Sequence, residues 1–272
     1  MMKPLIYLSI LFILACNSQP KDKNNQRQKS SLPDAISKLD QLAKQYPDSI
    51  GLHLRLVDAL DSLGDYTPAL VEVNKLLAKD SSNFGLWYKK AQLSEQSNDT
   101  LGAIKSYSKA AKIYASPDAL LALANLYAET KNGKALELCQ TVADLRMGRT
   151  YQAHCDFIAG VYYARIGNTT NAINLFKNCI ANNYSYMEAY LETGFIYYDK
   201  KQFAEALKVF QTAVTVKNNF PDGYYWLAKT YEANKDISAA ILNYERAFTL
   251  DPKLVEAEQA IKRLKNSGST NN

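Results

Sequence analysis

Seven alanines recur through this chain at nearly constant spacing: Ala35, Ala69, Ala103, Ala135, Ala172, Ala206 and Ala240, in steps of 34, 34, 32, 37, 34 and 34 residues. A period of this length is one supersecondary unit, which buries its apolar face only against copies of itself. Four residues beyond each alanine is an apolar or aromatic side chain: Leu39, Val73, Tyr107, Cys139, Phe176, Phe210 or Tyr244. Three further on stands Leu42, Leu76, Ala110, Val142, Cys179, Ala213 or Ala247. Spacing of four and then three lies on one face of a helix, so each alanine marks an amphipathic helix.

A partner helix precedes each of the last six. Its landmark in the regular units is a small residue twelve before the alanine, at Val57, Ala91, Gly160, Gly194 and Ala228; the matching helix of the irregular third unit has Ala124. A large apolar or aromatic residue follows three later in most units, as at Leu60, Tyr127, Tyr163, Tyr197 and Tyr231. Short turns such as LGDY (63–66), RIGN (165–168) and DKKQ (199–202) join each pair. Small residues let two helices approach closely while large ones fill the space beside them.

This pattern resembles the tetratricopeptide repeat. The unit YLETGFIYYDKKQFAEALKVFQTAVTVKNN fits that signature at Gly194, Tyr197, Ala206, Phe210 and Ala213. The last unit fits at Leu227, Ala228, Tyr231, Ala240, Tyr244, Ala247 and Pro252, and Trp87 stands where the family often has Trp. The resemblance implies an all-α fold, a right-handed superhelix of helix–turn–helix units, over residues 32–265: about six units, an N-terminal half-unit and a capping helix in KLVEAEQAIKRL. Residues 266–272 are expected to be a disordered tail. The phase breaks around residues 143–150, where three extra residues suggest a surface connection, a hinge or a partner-binding loop.

The chain opens Met1-Met2-Lys3, followed by the apolar run from Pro4 to Ala15 and then Cys16. A positive start and a short apolar run make an export signal. Twelve helical residues cover roughly 18 Å, too short for a hydrocarbon core of about 30 Å. Ile13-Leu14-Ala15-Cys16 resembles the lipobox of bacterial lipoproteins, with Leu14 bulkier than the family's usual Ala or Ser. The resemblance implies cleavage after residue 15 and acylation of Cys16, palmitate among the usual acyl groups. Residues 16–31 then form a tether without any aliphatic or aromatic side chain, too polar to order itself by burial. This tether carries +3 of the formal net charge of +5, and with Lys3 set aside residues 32–272 carry +1. The basic pI belongs to the leader and tether, and the folded part has no excess suggesting nucleic acid.

Chemistry-bearing motifs are scarce. His53 and His154 have no Cys or carboxylate at ligand spacing, and no phosphate-binding glycine loop or nucleophile elbow occurs. No enzymatic activity, metal, cofactor or small-molecule substrate is expected. Cys139 and Cys179 fall on core positions; Cys155 lies near the start of a first helix, where it could be buried or pair with Cys179.

A surface must therefore carry the function. In such superhelices the first helix of each pair lines the concave side. Groove-facing positions are Leu54, Asp58, Asp61, Tyr88, Gln92 and Glu95 toward the N-terminus, then Leu121, Asn125, Ala128, Phe157, Val161 and Ala164 in the middle. Toward the C-terminus they are Leu191, Phe195, Tyr198, Tyr225, Lys229 and Glu232. Phe157, Val161, Leu191, Phe195, Tyr198, Tyr225 and Lys229 are the candidate partner-binding residues, all but the lysine apolar or aromatic where solvent is expected. The alternative is that these side chains bury against one another. The clamp some relatives use for peptide C-termini is not matched, since its positions hold Leu54, Asp58, Lys89, Asp118 and Ala122, or Tyr88, Gln92, Ala122, His154 and Ile158.

The reading is an exported, lipid-anchored scaffold that holds a protein or peptide partner in its groove. Lipoproteins of this architecture imply roles in envelope assembly or maintenance, such as piloting a secretin or delivering substrates to a peptidase. By analogy with the common sorting rules of the lipoproteins it resembles, Asn17 after Cys16 implies the outer membrane, facing the periplasm. The alternative is a structural subunit, or a self-associating oligomer, whose groove is permanently filled.

Overall fold

The computed structural model describes residues 34–269; the expected signal, Cys16 and the tether lie outside the described residues. Fourteen α-helices and no strand occur among the described residues. They are α1 (Asp34–Gln45), α2 (Ile50–Ser62), α3 (Tyr66–Lys79), α4 (Phe84–Gln96), α5 (Thr100–Ile113), α6 (Pro117–Glu129), α7 (Lys134–Asp144), α8 (Arg149–Arg165), α9 (Thr169–Asn182), α10 (Met187–Asp199), α11 (Phe203–Val216), α12 (Pro221–Ala233), α13 (Ile237–Leu250) and α14 (Val255–Ser269). Each packs on its neighbours in the chain, so α2/α3 through α12/α13 form six stacked hairpins between the lone helices α1 and α14. The first, or A, helices are even-numbered and the second, or B, helices odd-numbered.

The packing follows the small-against-large pattern. Ala69, Ala103, Ala135, Ala172, Ala206 and Ala240 are fully buried, as are the A-helix residues Val57, Ala91, Ala124 and Ala228. At Gly160 and Gly194 the approach is closest: a Cβ on Gly194 would stand 2.3 Å from Phe210 ring atoms, and one on Gly160 2.6 Å from Phe176. Phe176 and Phe210 are wholly enclosed. Burying a ring of that size contributes about 1.5–3 kcal/mol, and the missing methyl group is what makes room for it.

Every A helix of the six hairpins ends alike, on a residue with positive φ: Gly64, Asn98, Lys131, Gly167, Lys201 and Lys235. Such a residue terminates the helix and turns the chain into the B helix. Side-chain caps then start several helices. Asn83, Asp99, Ser116, Asn168 and Asp236 each accept a main-chain N–H from the first turn.

Two expectations need correction. In α1, Ala35 is exposed and Leu42 is 40% exposed, while Ile36 and Ala43 are buried. No A helix precedes α1 among the described residues, so its 35/39/42 face lacks the partner that covers the equivalent face elsewhere, and α1 packs on α2 by other residues. The phase break falls on an exposed surface connection, one of the alternatives its spacing left open. α8 has 17 residues where α4, α6, α10 and α12 have 13, α7 has only 11, and Leu145 to Gly148 alone connect α7 to α8. At the C-terminus, α14 runs on to Ser269, so residues 266–269 are helical rather than part of a disordered tail.

Gly194→Ala is expected to destabilise the fold by about 1–3 kcal/mol, the usual cost of overpacking a filled core. Thermal melting checks it, and a melting temperature unchanged from wild type would show that α10 and α11 tolerate wider separation.

Candidate functional site

The A helices are linked to one another by charge. Lys89 of α4 bridges Asp58 at 2.8 Å and Asp61 at 2.9 Å, both on α2. Arg165 at the end of α8 grips two carboxylates at once: Nε and Nη2 donate to Glu129 of α6 at 2.8 and 3.0 Å, while Nη1 and Nη2 donate to Glu192 of α10 at 3.0 and 2.9 Å. Paired guanidinium–carboxylate forks of this kind fix both distance and direction between helices. At the C-terminal end Arg263 of α14 holds Glu232 of α12, with Nη1 2.8 Å from Oε1.

A second link recurs within hairpins. Tyr107 donates to Glu95 at 3.1 Å, and Tyr244, the same position one hundred and thirty-seven residues later, donates to Glu232 at 3.0 Å. Cys139, Phe176 and Phe210 occupy that position in the hairpins between. Opposite Phe210, Tyr198 takes the place of the glutamate. The exchange turns a polar contact into the aromatic wall that distinguishes the C-terminal half.

Of the seven candidate groove residues, one is ruled out by burial. Val161 is 1% exposed, and the neighbouring groove positions Leu121 and Ala128 are 9% and 0% exposed. The cause is that α6 lies directly against α8, which closes the groove in the middle of the stack. Phe157 is half-buried, its ring 4.9 Å from that of Tyr186. Phe195 is wedged between Trp226, 4.4 Å away, and Phe210, 6.1 Å away, and Leu191 is half-buried beside it. These three serve the wall more than the opening.

Tyr198, Tyr225 and Lys229 do come together. They line a cleft of about 450 Å³ between the last helices, with Glu232 and Ala233 of α12, Tyr244 of α13, and Glu256, Gln259, Ala260 and Arg263 of α14. Tyr225 and Tyr244 meet at 5.6 Å, and Tyr198 stands edge-on to Trp226 at 5.8 Å. Burial pushes the phenols of Tyr198 and Tyr225 up, and nearby carboxylates add to it. They are therefore neutral hydroxyls at any ordinary pH. Burial also holds the Lys229 ammonium below the usual lysine range.

Sequence reading missed the α14 wall, since α14 counted there only as a cap, and it missed Trp226. The signal for Trp226 was the run Tyr224-Tyr225-Trp226, three aromatics in one helical turn, which puts rings on both the groove and the adjoining face.

Elsewhere, Cys139, Cys155 and Cys179 are free and buried. The Cys155 thiol donates to the Cys139 carbonyl at 3.4 Å, so its near neighbour is α7 rather than Cys179. Burial pushes the Cys179 thiol up to about 12, which keeps it protonated and unreactive. Among the described residues no group of His, Cys, Asp and Glu is arranged to hold a metal ion, and no helix is long and apolar enough to cross a membrane.

The Glu232–Arg263 pair makes a pH prediction. The guanidinium holds the Glu232 carboxyl below its usual range; partial burial opposes this and the Tyr244 hydroxyl assists it. A carboxyl depressed on folding stabilises the fold above its unfolded pKa of about 4.3, and the contribution is lost as pH falls through the lower folded value. Arg263→Gln is therefore expected to melt below wild type at about pH 6, with the gap narrowing toward about pH 3. A gap of constant size across that range would contradict the assignment.

Comparison with known proteins agrees with the geometry. Residues 194–235 match the TPR repeat model and residues 221–254 the tetratricopeptide repeat model. No curated protein matches the chain. Among solved structures, a tetratricopeptide repeat protein from Parabacteroides merdae superposes with a TM-score of 0.69 at 16% identity, over 85% of this chain and 91% of that one. PilW, a widely conserved type IV pilus biogenesis factor, gives 0.60 at 16% identity over 84% and 99%. Yeast Tom70 gives 0.59 at 14% over 87% of this chain and 58% of its own. At such identities the likeness is one of fold. The chain thus has a TPR-type helical-repeat fold, with the repeat sequence itself recognised across residues 194–254.

Proposed function

We propose that this protein is a membrane-anchored scaffold that holds a protein or peptide partner in the C-terminal half of its inner face. Acyl groups on Cys16 fix its location, the segment up to residue 31 gives reach, and the last hairpins select the partner. Two or three acyl chains hold far better than one, and tethering raises the local concentration enough for modest affinity to suffice.

The observation that carries the reading is the cleft beside Tyr198 and Tyr225. Half-buried tyrosines around a concave opening offer large contact area at low entropic cost, and tyrosine is frequent among residues that dominate binding. Repeat solenoids use their extended inner surfaces for binding. A role in assembly or maintenance of the cell envelope, at the outer membrane, fits both the lipobox-like leader and the fold shared with a type IV pilus biogenesis factor.

Two experiments test the two halves of the proposal. Tyr198→Ala with Tyr225→Ala is expected to weaken co-purification of the partner from native envelopes at least tenfold, as loss of two binding tyrosines implies. Helicity should be retained; undiminished co-purification would refute a role for the cleft. Cys16→Ser is expected to move the protein from the membrane pellet to the soluble fraction and abolish palmitate labelling. Retention in the pellet would place the anchor elsewhere.

A further inference from the structure

The cations of the inner face differ in what they hold. Lys89, Arg165 and Arg263 each direct their N–H donors at carboxylates of neighbouring helices. Lys229 does not. Among the described residues no carboxylate lies within ion-pair distance of its ammonium. It stands instead 4.3 Å from the ring centre of Trp226, 5.6 Å from that of Tyr225 and 6.0 Å from that of Tyr198. Aromatic faces attract a cation through their quadrupole but do not take up its hydrogen bonds as an oxygen does. An ammonium has three donors, and here a half-buried one keeps them for an acceptor that enters the cleft.

The other charges around the opening define what that acceptor is. Arg263 and Glu232 neutralise one another, and Tyr244 completes the Glu232 carboxylate. Glu232 and Asp199 attract the Lys229 ammonium from beyond ion-pair distance without taking up its donors, which leaves Lys229 on the floor open to a direct partner and Glu256 and Gln259 on the α14 wall offering acceptors. We propose that the cleft takes the side-chain carboxylate of an Asp or Glu within an extended peptide segment of the partner, with Lys229 as its ion-pair donor. Tyr198 and Tyr225 then pack the flanking residues, and the main-chain N–H groups of the passing segment face Glu256 and Gln259. A chain terminus would end at Lys229 and leave that wall without donors. The burial that holds the Lys229 charge below its usual range is relieved when a carboxylate joins it.

The inference rests on the inner face being the partner-binding surface, and the test separates the two. Two random seven-residue peptide libraries displayed on phage, one with blocked and one with free carboxyl ends, are selected against the full-length protein in detergent. Selected peptides are resynthesised and measured by fluorescence anisotropy. The expected result is a blocked peptide with Asp or Glu at a fixed position, weakened at least tenfold when that residue becomes Asn or Gln. Lys229→Gln should lose as much, with no further loss for the neutral peptide. The peptide-side change is read on wild-type protein, so it stands even if Lys229→Gln folds poorly. Binders that depend on Tyr198 and Tyr225 but not on an acidic position would overturn the carboxylate assignment and leave the groove reading standing. Selection of free-ended peptides alone would overturn it in favour of a chain terminus. Absence of any peptide dependent on Tyr198 and Tyr225 would overturn both.

Discussion

The close crossing within each hairpin governs everything else in this protein. A small residue on the A helix lies against an apolar or aromatic residue on the B helix, most tightly where Gly160 meets Phe176 and Gly194 meets Phe210. That contact sets the rotation of both helices about their axes. Once it is made, residues three before and four after the small residue are carried to the inner face, because they lie on a neighbouring stripe of the same helix. The groove is a by-product of how the core is filled.

The stack is not uniform, and its irregularities determine where a partner can enter. Lengthening α8 and shortening α7 bring α6 and α8 into contact, so the middle of the inner face is filled by Leu121, Ala128 and Val161. Arg165, gripping Glu129 and Glu192, holds this closed section at a fixed spacing. Beyond it, replacement of the hairpin Tyr–Glu pair by Phe210 and Tyr198 gives a wall of rings, which ends where α14 folds against α12 and α13. Closure in the middle and opening at the end follow from helix length and ring placement, both set by local sequence.

The hairpins themselves were legible because the repeat is dense in small residues whose burial leaves little choice, as Ala172, Ala206 and Ala240 show. Position in the unit predicted side-chain direction well for Tyr198, Tyr225 and Lys229. It failed for Val161, because a repeat rule assumes equal spacing between A helices and cannot register that α8 has moved onto α6. It failed likewise for Ala35 and Leu42, whose burial elsewhere depends on a preceding helix that α1 lacks among the described residues. The α14 wall was hidden for a different reason: α14 read only as a terminal cap, yet its Glu256, Gln259 and Arg263 line the cleft. Cys155 shows the same limit, since its neighbour across the helix interface is Cys139, a pairing set by three-dimensional packing rather than by spacing.

The central claim is that the inner face of the last hairpins, rather than the outer surface, holds the partner. The most direct measurement is photo-crosslinking in the native envelope with benzoylphenylalanine at position 225, inside the cleft, and at position 242, where Leu242 is 67% exposed on α13. One discrete adduct from position 225, absent from position 242, is the predicted result. Adducts of equal yield from both positions, or from 242 alone, would contradict it.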